Sequence, residues 1–153
     1  MEQMVRPTRA RLGMGIAVVA VLATIVAGCM PEDARTFLDR TNSLRASQGL
    51  PALHEHGQLT DKAEAWAQHM ARTGRLAHSD LSAGLEGLAW TALGENVGMS
   101  TPTADTLRTI FDKLASSPTH RANMLNRRFT HMGVGVATSP DGRVWVAQVF
   151  ADL

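Results

Sequence analysis

Apolar residues recur at helical spacing in two stretches of the chain beyond residue 30. The first stretch predicts a helix over residues 33–48, closed by Gly49. Its inward side is formed by Phe37, Leu38, Thr41 and Leu44. The second stretch repeats small or apolar residues at i, i+4, i+7, i+8 and i+11 and ends at Gly74, where glycine forms a left-handed cap easily. These positions are Leu59, Ala63, Trp66, Ala67 and Met70.

Helical periodicity is lost between residues 75 and 100, where glycines indicate loops around a short extended piece at 95–97. A third helix is predicted to start at Thr101-Pro102, an N-cap followed by proline in the first helical position. Its apolar stripe is formed by Leu107, Ile110, Phe111 and Leu114. Ser117-Pro118 repeats the same start signal and predicts a short helix through Leu125.

The last stretch of the chain alternates apolar residues with glycine, as a half-buried strand does. Met132, Val134 and Val136 interleave with glycines, residues 139–142 predict a turn, and residues 144–150 predict a second strand. Helices followed by a hairpin, without a βαβ rhythm, indicate an α+β domain in which helices cover an antiparallel sheet.

Charge changes the picture once the first 28 residues are set apart. The chain has 153 residues and a formal net charge of +1, but beyond residue 28 it has 12 basic and 13 acidic residues. Aromatic residues make up 5%, and none of them is tyrosine. Because a positive surface and stacking aromatics are both lacking, we expect no nucleic-acid partner. A single monomeric domain fits this length.

The first 28 residues have the layout of an export signal. Arg6, Arg9 and Arg11 precede an apolar run over 12–26, and Ala27-Gly28 supplies the small residues that a signal peptidase requires. The alternative is an uncleaved membrane anchor, although the run to Gly28 is slightly short for a bilayer core of about 30 Å.

The single cysteine, Cys29, directly follows Val26-Ala27-Gly28. This order resembles the bacterial lipoprotein box, which implies that residues 1–28 are a lipoprotein signal peptide and that Cys29 carries two or three acyl chains such as palmitate. Several chains anchor a protein stably where one does not. We therefore expect a short lipidated linker over 29–33 and a domain over 34–153. The expected location is the outer side of the cell membrane, or an outer membrane. The alternative for Cys29 is a buried free thiol.

His78, Glu95 and His120 are the residues with the most evident chemistry, but their spacing of 17 and 25 residues matches no local zinc motif. His120 falls in the first turn of the predicted short helix, whose positive dipole end disfavours imidazolium. A neutral imidazole binds metal or accepts a proton. Read singly, however, such residues are more often structural than functional.

Six motifs that follow one another along the chain favour a functional role for these residues. They are Asn42-x-x-Arg45-x-x-x-Gly49-Leu50-x-x-Leu53, His78-Ser79, Gly94-Glu95-Asn96-Val97, Ser117-Pro118-x-His120-Arg121-x-Asn123-Met124-Leu125, Gly133-Val134-Gly135-Val136 and Trp145-x-x-Gln148-Val149-Phe150. Their order resembles the CAP superfamily of cysteine-rich secretory proteins, antigen 5 and pathogenesis-related proteins, and its SCP-like bacterial branch. The resemblance spans residues 34–152 and implies an α-β-α sandwich with a central cleft.

The resemblance also implies a site in that cleft. His78, Glu95 and His120 match family residues that hold a divalent cation in several members, while Ser117 stands where eukaryotic members have a second glutamate. Two neutral imidazoles and one carboxylate suit zinc with a bound water better than they suit calcium. Arg121 and Asn123 either line the cleft with Ser117 or hold the short helix in place.

Three functions fit these residues. The favoured one is an envelope binding module whose cleft captures a small molecule, a lipid or another envelope ligand, with or without a metal. The second is a zinc-dependent hydrolase in which Glu95 or His120 is catalytic. The third, a Ser117 nucleophile with His120 as its base, lacks an orienting acid. We interpret the remaining candidates as structural; they are His54, His56, His69, His131, Trp66, Trp145, Asn42 and Arg45.

Overall fold

The computed structural model describes residues 30–153, so the leader and Cys29 predicted above lie outside the described residues. The helices are α1 (Glu32–Ser47), α2 (Gly57–Thr73), α3 (Thr106–Ser116) and α4 (Pro118–Met124). The strands are β1 (His54–Glu55), β2 (Ala92–Ser100), β3 (His131–Thr138) and β4 (Val144–Asp152). Within residues 30–153, no helix is long and apolar enough to cross a membrane.

The four strands form one sheet in the order β1-β3-β4-β2. The predicted hairpin of β3 and β4 is confirmed, and β2 pairs antiparallel with the other side of β4. The two-residue strand β1 was not predicted, and it pairs parallel with β3, with His54 opposite His131. The predicted antiparallel sheet therefore holds for three strands, and β2 and β1 lie at its opposite edges.

One face of the sheet packs directly against α2. A Cβ atom on Gly133 would lie 2.1 Å from the backbone carbon of Leu59, and one on Gly135 would lie 2.2 Å from that of Ala63. No side chain fits in that space, so the two glycines let the helix backbone rest on β3. Trp145 is fully buried on the same face, which confirms its predicted place in the core.

The opposite face is covered by α1, α3 and α4. Phe37 and Phe111 meet edge to face with ring centres 5.6 Å apart. A buried polar chain crosses the same layer, because Gln148 donates to the Thr41 hydroxyl and accepts from the Asn96 amide, each at 3.0 Å. Helices on both sides of the sheet confirm the predicted α-β-α sandwich.

Arg45 joins α1 to the chain around α4. Its side chain is fully buried, and burial lowers the pKa of its guanidinium. The group donates to four backbone carbonyls, those of Pro51, Met124, Asn126 and Phe129. The partners of Arg45 are loop carbonyls and the end of α4 rather than the sheet itself, so the guanidinium fixes the helix that carries His120.

Three predicted boundaries differ from the structure. The extended piece at 95–97 is part of a nine-residue strand, β2. Helix α3 starts at Thr106 rather than after Thr101, because the Asp105 carboxylate accepts from the Arg108 N–H at 2.9 Å and caps the helix there. Helix α1 begins at Glu32, one residue earlier than predicted, and Met30 before it is buried.

Candidate functional site

The Glu95 carboxylate organises the loop that follows α2. Glu95 points from β2 toward the α2 side of the sheet, and it accepts from the Ser79 backbone N–H at 2.9 Å and from the Ser79 hydroxyl at 2.5 Å. The Nδ1 atom of His78 lies 2.8 Å from the same carboxylate. Both carboxylate oxygens are therefore occupied by residues 78 and 79.

This contact fixes the form of the His78 ring. A carboxylate only accepts hydrogen bonds, so Nδ1 of His78 carries a proton, and in the neutral ring Nε2 presents its lone pair. The His78 side chain is 61% exposed, whereas the Glu95 side chain is 1% exposed. Glu95 therefore acts as the buried support of an exposed imidazole.

Lys62 of α2 adds a positive charge beneath this loop. Its ammonium donates to the Asp80 carbonyl at 2.6 Å and to the Ala83 carbonyl at 2.9 Å. Burial lowers the pKa of Lys62, and the nearby Glu95 charge acts in the opposite direction. The lysine thus holds the loop backbone in place and offsets the buried carboxylate.

His120 lies in the first turn of α4, on the face of the sheet opposite α2. Its Nδ1 atom lies 2.9 Å from the Ser117 hydroxyl. Burial, and then the charge of His78, lowers the pKa of His120, which favours the neutral form of its ring. Two residues distant in the chain, His78 after α2 and His120 in α4, thus both lie at the β2 edge of the sheet.

Asn96 and Asn123 attach α4 to β2. The Asn96 amide donates to the His120 carbonyl at 3.0 Å, and the Asn123 amide donates to the Glu95 carbonyl and to the Asn96 side chain. Arg121 donates to the Ala115 carbonyl at 3.3 Å and so joins α4 to α3. In residues 30–153 Asn123 and Arg121 therefore hold the helix.

An apolar cavity of about 200 Å³ opens beside His120. Its lining is mostly aliphatic, with polar groups at the His120 end; it includes Leu76, Val97, Met99, Ile110, Ser117 and His120. Leu76 is half exposed at 51%, which leaves an apolar rim at the mouth. A ligand with a short apolar part and a polar end fits such a lining.

The donor set fits a divalent cation only in part. Within residues 30–153, no three His, Cys, Asp or Glu side chains form a group that could hold a metal ion. The expected third ligand, Glu95, contacts His78 instead of facing the cleft. This is the arrangement in which a carboxylate orients a metal-binding histidine from behind. Two imidazole Nε2 atoms remain for a zinc ion, whose other ligands would be water or a bound molecule.

A second histidine group lies at the opposite edge of the sheet. The ring centre of His131 lies 5.7 Å from that of His54 and 5.9 Å from that of His56. Burial, and then the charges of His54 and His56, lowers the pKa of His131. The sequence did not predict this group, because its members meet only through the unpredicted pairing of β1 with β3.

Trp66 and His69, which we interpret as structural, both lie on α2. Trp66 is only partly buried, and its indole N–H donates to the Ala77 carbonyl at 2.8 Å. Its ring stacks on His69 with centres 4.7 Å apart. Both side chains therefore support the start of the 75–91 loop, although the core position expected for Trp66 is only partly realised.

The chain is similar in sequence and in fold to known bacterial proteins. YkwD of Bacillus subtilis strain 168, an uncharacterized protein, is 30% identical over 123 residues, which are 74% of this chain and 45% of YkwD. The crystal structure of an extracellular SCP-domain protein from Bacillus anthracis is 25% identical, with a TM-score of 0.65 over 79% of this chain and 40% of that chain. The chain thus spans less than half the length of both relatives.

The crystal structure of NaASP2 with Zn²⁺ shares the fold, with a TM-score of 0.59 and 18% identity over 80% of this chain and 83% of that chain. The sequence profile of the CAP family, described as the cysteine-rich secretory protein family, matches residues 38–150. These residues contain His78, Glu95, Ser117 and His120, strands β1 to β3 and all of β4 except its last two residues. The chain therefore belongs to the CAP family.

Proposed function

We propose that this protein is an exported, lipid-anchored binding module whose cleft captures a ligand through His78 and His120. The observation that carries the proposal is the pairing of the exposed His78 ring with the buried Glu95 carboxylate. Holding an exposed ring in one tautomer restricts its freedom before any ligand binds. The same restriction pre-organises the Nε2 atom for binding.

The ligand that these atoms favour is a divalent transition metal, alone or together with a small molecule. Zinc is bound by neutral imidazole, and in both rings Nδ1 already has a hydrogen-bond partner, which leaves Nε2 for the ion. The zinc in the structure of NaASP2 supports this choice for the family. When bound, the ion would supply a Lewis-acid centre; His78 and His120 would hold it, Glu95 would keep the His78 proton on Nδ1, and Ser117 would orient His120.

The apolar cavity beside His120 supports a second element of recognition. An organic ligand would place its polar end at the histidines and its apolar part between β2 and α3. The cavity volume of about 200 Å³ suits a group of only a few carbon atoms rather than a whole lipid.

Hydrolysis is the alternative function, and the geometry does not favour it. A general base must face the reacting water. Both oxygens of Glu95 already accept from Ser79 and His78, and the side chain is 1% exposed. In residues 30–153, His120 contacts Ser117 but no carboxylate that would orient it as the base of a nucleophile. Binding is therefore the function that we propose.

Zinc titration by calorimetry of the tag-free protein tests the cleft. We expect one zinc ion per chain, and we expect both His78→Ala and His120→Ala to lose at least about tenfold in affinity, because each removes one of two imidazoles. His54→Ala is the matched control, since His54 lies on β1 at the opposite edge of the sheet. Wild-type affinity in both cleft variants would refute the metal proposal.

Detergent phase partition tests the anchor. Protein from a bacterial host that lipidates its exports should enter the detergent phase, and Cys29→Ala should remain in the aqueous phase, because it lacks the acylated thiol. If the Cys29→Ala variant partitions as the wild type does, the lipid anchor is refuted.

A further inference from the structure

The residue that follows Cys29 is already part of the folded core. Met30 is 5% exposed and belongs to the apolar cluster of α1 and the sheet. The first helical hydrogen bond follows at once, from the Arg35 N–H to the Pro31 carbonyl at 2.9 Å. The folded domain therefore leaves no free segment between Met30 and α1.

The absence of a free segment limits how an anchored domain moves. One peptide bond joins Cys29 to Met30, and it fixes their α-carbons about 3.8 Å apart. A flexible linker of 20 residues would have a mean reach of about 25 Å and would let the domain tumble. Acyl chains on Cys29 would instead hold the surface around Met30 at the lipid headgroups.

That surface lies toward the β1 edge of the sheet, whereas the cleft lies at the β2 edge. Met30 lines a surface hollow with Thr60, Asp61 and Glu64 of α2. The backbone at Thr60 and Glu64 rests on the β3 glycines. The cleft lies beyond β2, and β4 separates β2 from β3. Two strand spacings, about 10 Å, and the side chains of both edges therefore separate the anchor from the cleft.

We propose that the lipidated protein sits on the membrane in one orientation, with Met30 and the hollow beside it against the phospholipid headgroups and the His78–His120 cleft facing away. This inference rests on the lipid anchor proposed above. The hollow beside Met30 is lined by Glu55, Asp61 and Glu64, which are acidic. The acyl chains, rather than charge attraction to anionic lipids, therefore hold this surface in place.

Fluorescence quenching on phosphatidylcholine vesicles tests the orientation. Full-length protein expressed in a lipidating host, with Cys29 acylated, would carry one added thiol for a fluorophore, at Asp61→Cys or at Ser116→Cys. Both positions are exposed, and Ser116 lies at the end of α3 beside the cleft. With quencher on the lipid headgroups, we expect at least about threefold stronger quenching at position 61.

Two controls separate the orientation from the anchor. A 20-residue Gly/Ser insertion between Cys29 and Met30 should bring the quenching at the two positions to similar values. Equal or reversed quenching in protein that enters the detergent phase would overturn the orientation and leave the anchor standing. Protein that stays in the aqueous phase would overturn the anchor and the orientation with it.

Discussion

The two edges of the sheet each carry a group of histidines, but the groups differ in what surrounds them. At the β2 edge, His78 has the Glu95 carboxylate and His120 has the Ser117 hydroxyl as hydrogen-bond partner. At the β1 edge, His54, His56 and His131 mostly face one another. In that group the described contacts include one hydroxyl partner, Thr130 at 2.8 Å from His131, and the buried Nδ1 atom of His56 has none.

This difference separates a prepared site from a structural cluster. A carboxylate behind a ring fixes its tautomer and favours binding of a cation in front of it. Histidines that face only other histidines repel one another once protonated, and they lack the anion that would help to hold a metal ion. The number of histidines is similar at the two edges, so the partner of each ring is the informative feature.

The largest expected effect comes from removing the charge behind His78. Glu95→Gln keeps the shape of the side chain but removes the anion that accepts from His78 and Ser79. We expect zinc affinity to fall by about 10- to 100-fold, as is usual for the partner of a metal-binding histidine. Calorimetric titration measures the change.

Glu55→Gln is the matched control at the other edge. Glu55 accepts from the Thr60 hydroxyl and lies next to His54 and His56 in the chain. If both glutamine variants weaken zinc binding equally, the two edges are equivalent and the comparison fails.

A smaller effect should appear in the pH dependence of stability at the β1 edge. The pKa of His131 is lowered in the folded state by burial and by His54 and His56. As the pH falls through about 6.5, His131 is protonated in the unfolded chain, whereas in the folded chain it is protonated only at a lower pH. Stability should be complete above that pH, fall as the pH drops below it, and level off below the folded pKa of His131.

Urea unfolding between pH 7.5 and pH 5 measures this loss. His131→Gln should lose less stability over that range than the wild type, because it lacks the imidazole whose pKa differs between the folded and the unfolded state. A variant whose midpoint falls as steeply as that of the wild type would show that His131 does not contribute.

The smallest expected effect is that of Thr130→Val, which removes the hydroxyl beside His131 at nearly constant volume. The hydroxyl is partly exposed and contacts His131, the Leu153 N–H and, at 3.5 Å, the Ala151 carbonyl. We expect a loss of about 1 kcal/mol in the free energy of unfolding and no change in zinc affinity. Thermal unfolding and the zinc titration provide the two readings. A change in zinc affinity would connect the β1 edge to the cleft and contradict the separation of the two groups.

The local elements of this fold could be predicted because their signals are contained within a few turns. Helix α2 shows its apolar stripe and its glycine cap, and Gly74 does adopt φ +66°. Strand β1 could not be predicted, because two residues have no periodicity and the pairing partner of His54, His131, lies 77 positions away. The start of α3 was wrong because two cap signals compete, and the Asp105 side chain forms the cap.

The candidate site, too, could be predicted from the sequence only in part. Resemblance pointed to His78, Glu95 and His120 as cation ligands, but not to the contact between Glu95 and His78. Whether Glu95 faces the cleft or supports His78 depends on the path of the 75–91 loop and on which face of β2 the residue occupies. Ser79 adjoins His78 in one of the family motifs, and this adjacency was the signal that could have identified it as a second partner of Glu95.

The most direct test of the central claim is the proton on the His78 ring. Long-range ¹H–¹⁵N spectra of ¹⁵N-labelled protein at pH 7.5 distinguish the two nitrogens of each histidine, and His78→Ala assigns the signal. We predict that His78 is a single tautomer protonated on Nδ1, that its Nε2 signal shifts on adding zinc, and that Glu95→Gln mixes the tautomers. A His78 ring that is protonated on Nε2, or equally mixed in the wild type, would contradict the account.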